Sequence, residues 1–100
     1  MDGKISVRID KDLEDLIPGY LENRRKDIAA IGDALTRGDY DAIRVLGHGM
    51  KGSGGGYGFD AITNIGRKIE AAAKAGDAAA IRGGRDELVF YLERIEIVYE

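Results

Sequence analysis

The only histidine of the chain lies in GHGMKGSGGGYG, residues 47–58, among seven glycines. Three kinds of segment put an imidazole there: a flexible linker, a loop that cradles phosphate, or a helix that accepts glycine for a functional reason. The phosphate-loop reading has a literal match, since Gly47-x-Gly49-x-x-Gly52 spells G-x-G-x-x-G. That motif works when a strand precedes it and a helix follows within a βαβ unit. Here YDAIRVL precedes it, with a helical pattern, and no parallel sheet is at hand. The Walker order fails too, because Lys51-Gly52-Ser53 replaces Gly-Lys-Ser/Thr. A linker needs polar padding, yet Met50, Lys51 and Tyr57 interrupt the glycines, and a cut here leaves halves too small for a core.

The helical reading organises the segment. At about 100° per residue, Ile43, Leu46, Met50, Gly54 and Tyr57 share a stripe, and His48 points roughly 140° away from Ile43, towards solvent. Arg44, Lys51, Gly52 and Gly55 share its half, with Lys51 one turn on. Seven helix-interior glycines would cost roughly 4–7 kcal/mol relative to alanine. Local rules broken this heavily mark function or close packing. On this reading Gly52 and Gly55 clear the surface around His48 for a large partner, and Gly54 lets a neighbouring helix approach.

The elements that must position these residues are helices. Pro18 suits a first helical turn and is followed by apolar residues at helical spacing, Ile17, Leu21, Ile28, Ile31 and Leu35. Arg24 falls on that stripe and is expected to snorkel at its edge. RGDYDAI and AGDAAAI each place Gly-Asp before an apolar helical pattern, a stop followed by a cap. Ile62, Ile65, Ile69 and Ala73 form a third stripe, and Ile81, Leu88, Leu92, Ile95 and Tyr99 a fourth. The spacing predicts helices over 17–36, 39–57, 60–75 and 77–99, with a short helical turn at 11–16. ISVRI, residues 5–9, alternates like a strand but has no evident partner. Short connections favour antiparallel neighbours, so the expected architecture is an all-α, up-down four-helix bundle forming a single domain over 1–100.

With this architecture in place, HGMKGSGGGYGFDAITNIGRKIE, residues 48–70, resembles the histidine-containing phosphotransfer (HPt) domains of two-component phosphorelays. Their signature runs roughly His-x-x-Lys-Gly-small-small-x-x-x-Gly on the second helix of a four-helix bundle. His48, Lys51, Gly52, Ser53, Gly54 and Gly58 supply it in order, and Ile69-Glu70 stands where a later apolar-acidic pair is expected. The resemblance implies that His48 is phosphorylated on a ring nitrogen, usually Nε2, in exchange with the aspartyl phosphate of a response-regulator receiver domain. It implies a phosphoryl carrier with no ATP-dependent kinase activity of its own. Mg²⁺ is expected from the receiver, and no cofactor is expected on this chain.

Neutral imidazole is a nucleophile near pH 7, its ordinary pKa being about 6.5. Lys51 is expected to face phosphate oxygens, worth roughly 1 kcal/mol in water and about 4 kcal/mol at an effective dielectric near 20. In the chemotaxis-kinase phosphotransfer domain, which this segment resembles, a glutamate at the position of Glu70 accepts the other imidazole N–H. Many relay domains carry glutamine there, and a plain surface Glu70 stays open. Arg67 departs from the histidine of that domain; it and Arg44 either help screen phosphate or are solvated helix faces. Receivers are expected to dock on an apolar patch from the first two helices. Leu13, Leu16, Ile17 and Tyr20 are the candidates, unless they cap the core instead.

The whole chain narrows the alternatives. A formal net charge of −3 gives no basic field for nucleic acid. One histidine and no cysteine leave no transition-metal ligand set and no disulfide. No apolar run approaches the roughly 18–20 residues that span a bilayer, and MDGKISVRID lacks signal-peptide order. The expectation is a cytoplasmic monomer, free-standing or excised from a hybrid histidine kinase or response regulator. A non-phosphorylated helical adaptor that docks receivers is the competing function, and a nucleotide-binding enzyme rests only on the glycine motif.

Overall fold

The computed structural model describes residues 3–100; the first two residues of the MDGKISVRID lead lie outside them. In chain order the elements are β1 (Ile5–Ile9), a 3₁₀ turn (Lys11–Leu13), α1 (Ile17–Arg37), α2 (Tyr40–Ser53), a second 3₁₀ turn (Gly55–Tyr57), α3 (Asp60–Lys74), α4 (Ala78–Arg94) and β2 (Ile95–Tyr99). The four helices form an all-α bundle, with the two strands paired at its side.

The predicted caps define the helices. Pro18 stands in the first turn of α1, which stops at Gly38 in the left-handed region, φ 67°. The Asp39 carboxylate then accepts the Ala42 N–H at 3.1 Å and opens α2. Asp77 does the same for α4, accepting the Ala80 N–H at 3.0 Å. Ile31, Ile43, Met50, Ile62, Ile69, Ile81 and Leu88 are sealed in the core. Arg24 lies at the edge of that core: its guanidinium sits 4.5 Å from the Tyr20 ring centroid and pairs with Asp27 at 2.7 Å. Burial pushes the Asp27 carboxyl up, against the opposing pull of Arg24.

Two expectations need correction. ISVRI does have a partner: β1 pairs in parallel with β2, in the register Ile5↔Ile95, Val7↔Ile97, Ile9↔Tyr99. Accordingly the last helix does not run to 99. It stops at Arg94, and Ile95 is extended at φ −70°, ψ 141°. Leu92, Ile95 and Tyr99 fit a helical stripe, but Ile95, Ile97 and Tyr99 also fit a period of two. Against β1 the second pattern wins, because the β-branched run finds backbone partners. The second helix does not run to 57 either. It ends at Ser53, and only Gly47, Gly49 and Gly52 lie inside it. The glycine cost falls to roughly 1.5–3 kcal/mol, which one well-buried core side chain offsets.

For the candidate docking residues, the burial fits the core-capping alternative at Ile17 and Tyr20. Ile17 is fully buried, and Tyr20 is stacked on Tyr57 with ring centroids 4.3 Å apart. Helix α1 starts at Ile17 itself, so Ile17, Tyr20 and Leu21 turn inward together and cap the core. Leu13 is half-buried, and of the four only Leu16 is exposed, at 55%.

Candidate functional site

Helices α2 and α3 pack more closely than any other pair, and glycine makes this possible. A Cβ at Gly66 would lie 2.5 Å from the Lys51 backbone N and 2.7 Å from the Gly47 carbonyl O. A Cβ at Gly47 would lie 2.7 Å from the Glu70 backbone N. Neither atom can be pushed aside without moving a helix. The close crossing brings residues 48 and 51 of one helix within side-chain reach of residue 70 of the other.

His48 stands on the outer face of α2 with 65% of its side chain exposed. Its Nδ1 lies 2.9 Å from Glu70 Oε2. The Glu70 side chain is 8% exposed, and its other oxygen, Oε1, accepts from Lys51 Nζ at 2.7 Å. Lys74, one turn further along α3, approaches Oε2 at 3.9 Å. The Lys51 hydrogen bond first, then that from His48, holds the Glu70 carboxyl at a pKa of about 2, although burial opposes them. Glu70 is therefore a carboxylate at neutral pH and can only accept hydrogen bonds. In the neutral imidazole, His48 Nδ1 therefore carries the proton and Nε2 the lone pair. A buried anion thus selects the tautomer of an exposed imidazole.

The sequence-derived candidates separate in the fold. His48, Lys51 and Glu70 form one cluster. Lys51 is turned to Glu70 here, on the Nδ1 side of the arrangement. Arg44 is held by Asp41 one turn back, Nε to Oδ1 at 3.0 Å, and exposed Arg67 donates to Asn64 Oδ1 at 2.9 Å. Both lie outside the cluster. A Cβ on Gly52 would meet nothing within 4 Å, whereas one on Gly55 would be in ordinary contact with Asp60 and Thr63. Gly54 is the inward glycine, with a Cβ there 2.6 Å from the Thr63 backbone N. Beside this cluster a groove of about 390 Å³ runs between α1 and α2. Tyr20, Arg24, Val45, Gly49 and Met50 line it, and Val45 is 55% exposed.

Lys74 and Thr63 belong to the site and were not singled out by the sequence. Lys74 carries a signal, being i+4 from Glu70 on the same helix. Thr63 is seven residues before Glu70, hence two turns away on the same face, though a lone threonine at that spacing is unremarkable without the neighbouring helix. Among the described residues no group of three or more His, Cys, Asp or Glu side chains is placed to hold a metal ion. No helix of these residues is long and apolar enough to cross a membrane.

The Hpt domain family model matches residues 15–96. The chain belongs to the Hpt domain family, whose members carry phosphoryl groups on histidine in two-component phosphorelays and interact with receiver and kinase domains. They are phosphocarrier modules and not autonomous kinases. No curated protein and no solved structure matches the chain.

Proposed function

We propose that His48 is the phosphorylated residue, accepting a phosphoryl group on Nε2 from the aspartyl phosphate of a response-regulator receiver domain and returning it to another. The observation that carries this is the ring's setting: exposed, with Nδ1 bonded at 2.9 Å to a buried carboxylate. Nε2 attacks phosphorus in line as the P–O bond to the receiver's carboxylate breaks and that carboxylate leaves with the electron pair. The ring keeps its Nδ1 proton and becomes cationic as the P–N bond forms. Glu70 stabilises that charge, so its contribution grows along the reaction. Lys51, within reach of both Glu70 and the outer face of α2, turns towards the phosphoryl oxygens once they arrive. Mg²⁺ comes with the receiver.

Gly52 leaves the face next to His48 bare, which suits the approach of a rigid active site. The groove between α1 and α2, with exposed Val45 on its wall, is the docking surface on this reading. Incubation with a ³²P-phosphorylated receiver domain tests the proposal. The expected result is an acid-labile, alkali-stable label on this chain that is absent from His48→Gln. Receiver binding without labelling would instead make the chain an adaptor, and a labelled His48→Gln would move the chemistry elsewhere.

A further inference from the structure

An α-helix continuing through residue 55 would close a hydrogen bond from the Gly55 N–H to the Lys51 carbonyl, four residues back. The Thr63 hydroxyl from α3 stands between them. It accepts the Gly55 N–H at 2.8 Å and donates to the Lys51 carbonyl at 3.1 Å. One hydroxyl has both a proton and lone pairs, so it satisfies both backbone groups at once. A side chain inserted into the ladder in this way ends the α-helical pattern, and the chain passes into the 3₁₀ turn at Gly55–Tyr57. Gly54 makes the insertion possible, since a Cβ there would lie 2.7 Å from Thr63 Oγ1.

Thr63, Gly66 and Glu70 recur at i, i+3 and i+7 and face α2 together. Lys51 meets all three: its carbonyl bonds Thr63, its backbone N rests against Gly66, and its ammonium bonds Glu70. We propose that Thr63 is a positioning residue for phosphoryl transfer, setting the register of α2 against α3 so that His48 Nδ1 and Lys51 Nζ meet the two oxygens of Glu70. This inference rests on the relay through His48 proposed above. Without the hydroxyl, the Gly55 N–H and the Lys51 carbonyl are free to bond each other, α2 extends, and the turn carrying Lys51 shifts relative to Glu70.

The test compares Thr63→Val, which keeps the shape and loses both hydrogen bonds, with Thr63→Ser, which keeps the hydroxyl. Phosphoramidate serves as the donor: its P–N bond breaks, ammonia leaves, and the new P–N bond forms on Nε2, followed by ³¹P NMR. The ¹⁵N shifts of the His48 ring report its tautomer. Loss of hydrogen bonds of this kind should slow labelling of Thr63→Val about three- to tenfold at a temperature where it is folded. Its ring should move towards a mixture of tautomers, while Thr63→Ser stays close to the parent in both. Thr63→Ala, with its higher helix propensity, replaces the valine variant if that does not fold. Parent-like labelling and parent-like ¹⁵N shifts in the hydroxyl-free variant would overturn the proposal, even if its melting temperature falls. The ring shifts report positioning whether or not His48 is labelled, so failure of the relay and failure of this role are told apart.

Discussion

Alanine at Gly66 and at Gly52 should have opposite effects, although both positions are helical glycines. At Gly66 the new methyl would sit 2.5 Å from the Lys51 backbone N and 2.7 Å from both the Gly47 carbonyl O and Met50 Cβ. To reach ordinary contact at 3.4 Å, α2 must retreat by about 0.7–0.9 Å. Overpacking of this kind costs about 1–3 kcal/mol. The gain in helix propensity from glycine to alanine returns about 1 kcal/mol, leaving a net loss of about 0–2 kcal/mol. At Gly52 the methyl meets nothing within 4 Å, so only the propensity gain remains. For a domain of this size, each kcal/mol moves the melting temperature by roughly 4–8 °C. The propensity gain is common to both, so thermal unfolding followed by circular dichroism should separate the two variants by the overpacking cost, about 4–24 °C, with Gly52→Ala the more stable. The same retreat would stretch the 2.9 Å and 2.7 Å bonds to Glu70, so Gly66→Ala should also lose labelling of His48. Melting temperatures within about 2 °C of each other would refute the close-crossing argument.

Two further outcomes follow from other parts of the fold. Glu70 has its carboxyl lowered from the ordinary 4.5 to about 2, so the stability it contributes is present above about pH 4.5 and is lost as pH falls towards 2. The denaturation midpoint of the parent should exceed that of Glu70→Gln at neutral pH, and the gap should close over that acid range; a gap that persists at pH 2 would contradict the assignment. Ile9 on β1 is 1% exposed and faces Gly58, so Ile9→Ala should cost about 2–5 kcal/mol in urea unfolding. A cost well under 1 kcal/mol would mean that the strand pair lies outside the cooperative core.

Much of this arrangement is legible in the sequence. The Gly-Asp pairs at 38–39 and 76–77 act locally, through a left-handed stop and a side-chain cap, and both stand where they were expected. The wheel placed His48 opposite Ile43 because a helix of known pitch needs only spacing to define its faces, and the ring is exposed. What resisted reading was whatever required a second element. IEIVY satisfies a helical and an alternating pattern together, and only the backbone of β1, some ninety residues away, selects the strand. Whether Ile17 and Tyr20 dock a partner or cap the core depended on the fold, which buries Ile17 fully and stacks the Tyr20 ring on Tyr57 and Phe59.

The amino-acid sequence by itself determined four helices, their caps, a wet face bearing His48 and a family signature, because each depends on contacts within a few residues or on order along the chain. The tertiary structure alone decided the pairing of the two strands, the crossing of Gly47 against Gly66, the Thr63 insertion and the reach of Glu70 to both His48 and Lys51. Those depend on where two helix axes lie to within less than an ångström, and hydrogen bonds and steric contacts discriminate at that scale while hydrophobic periodicity does not.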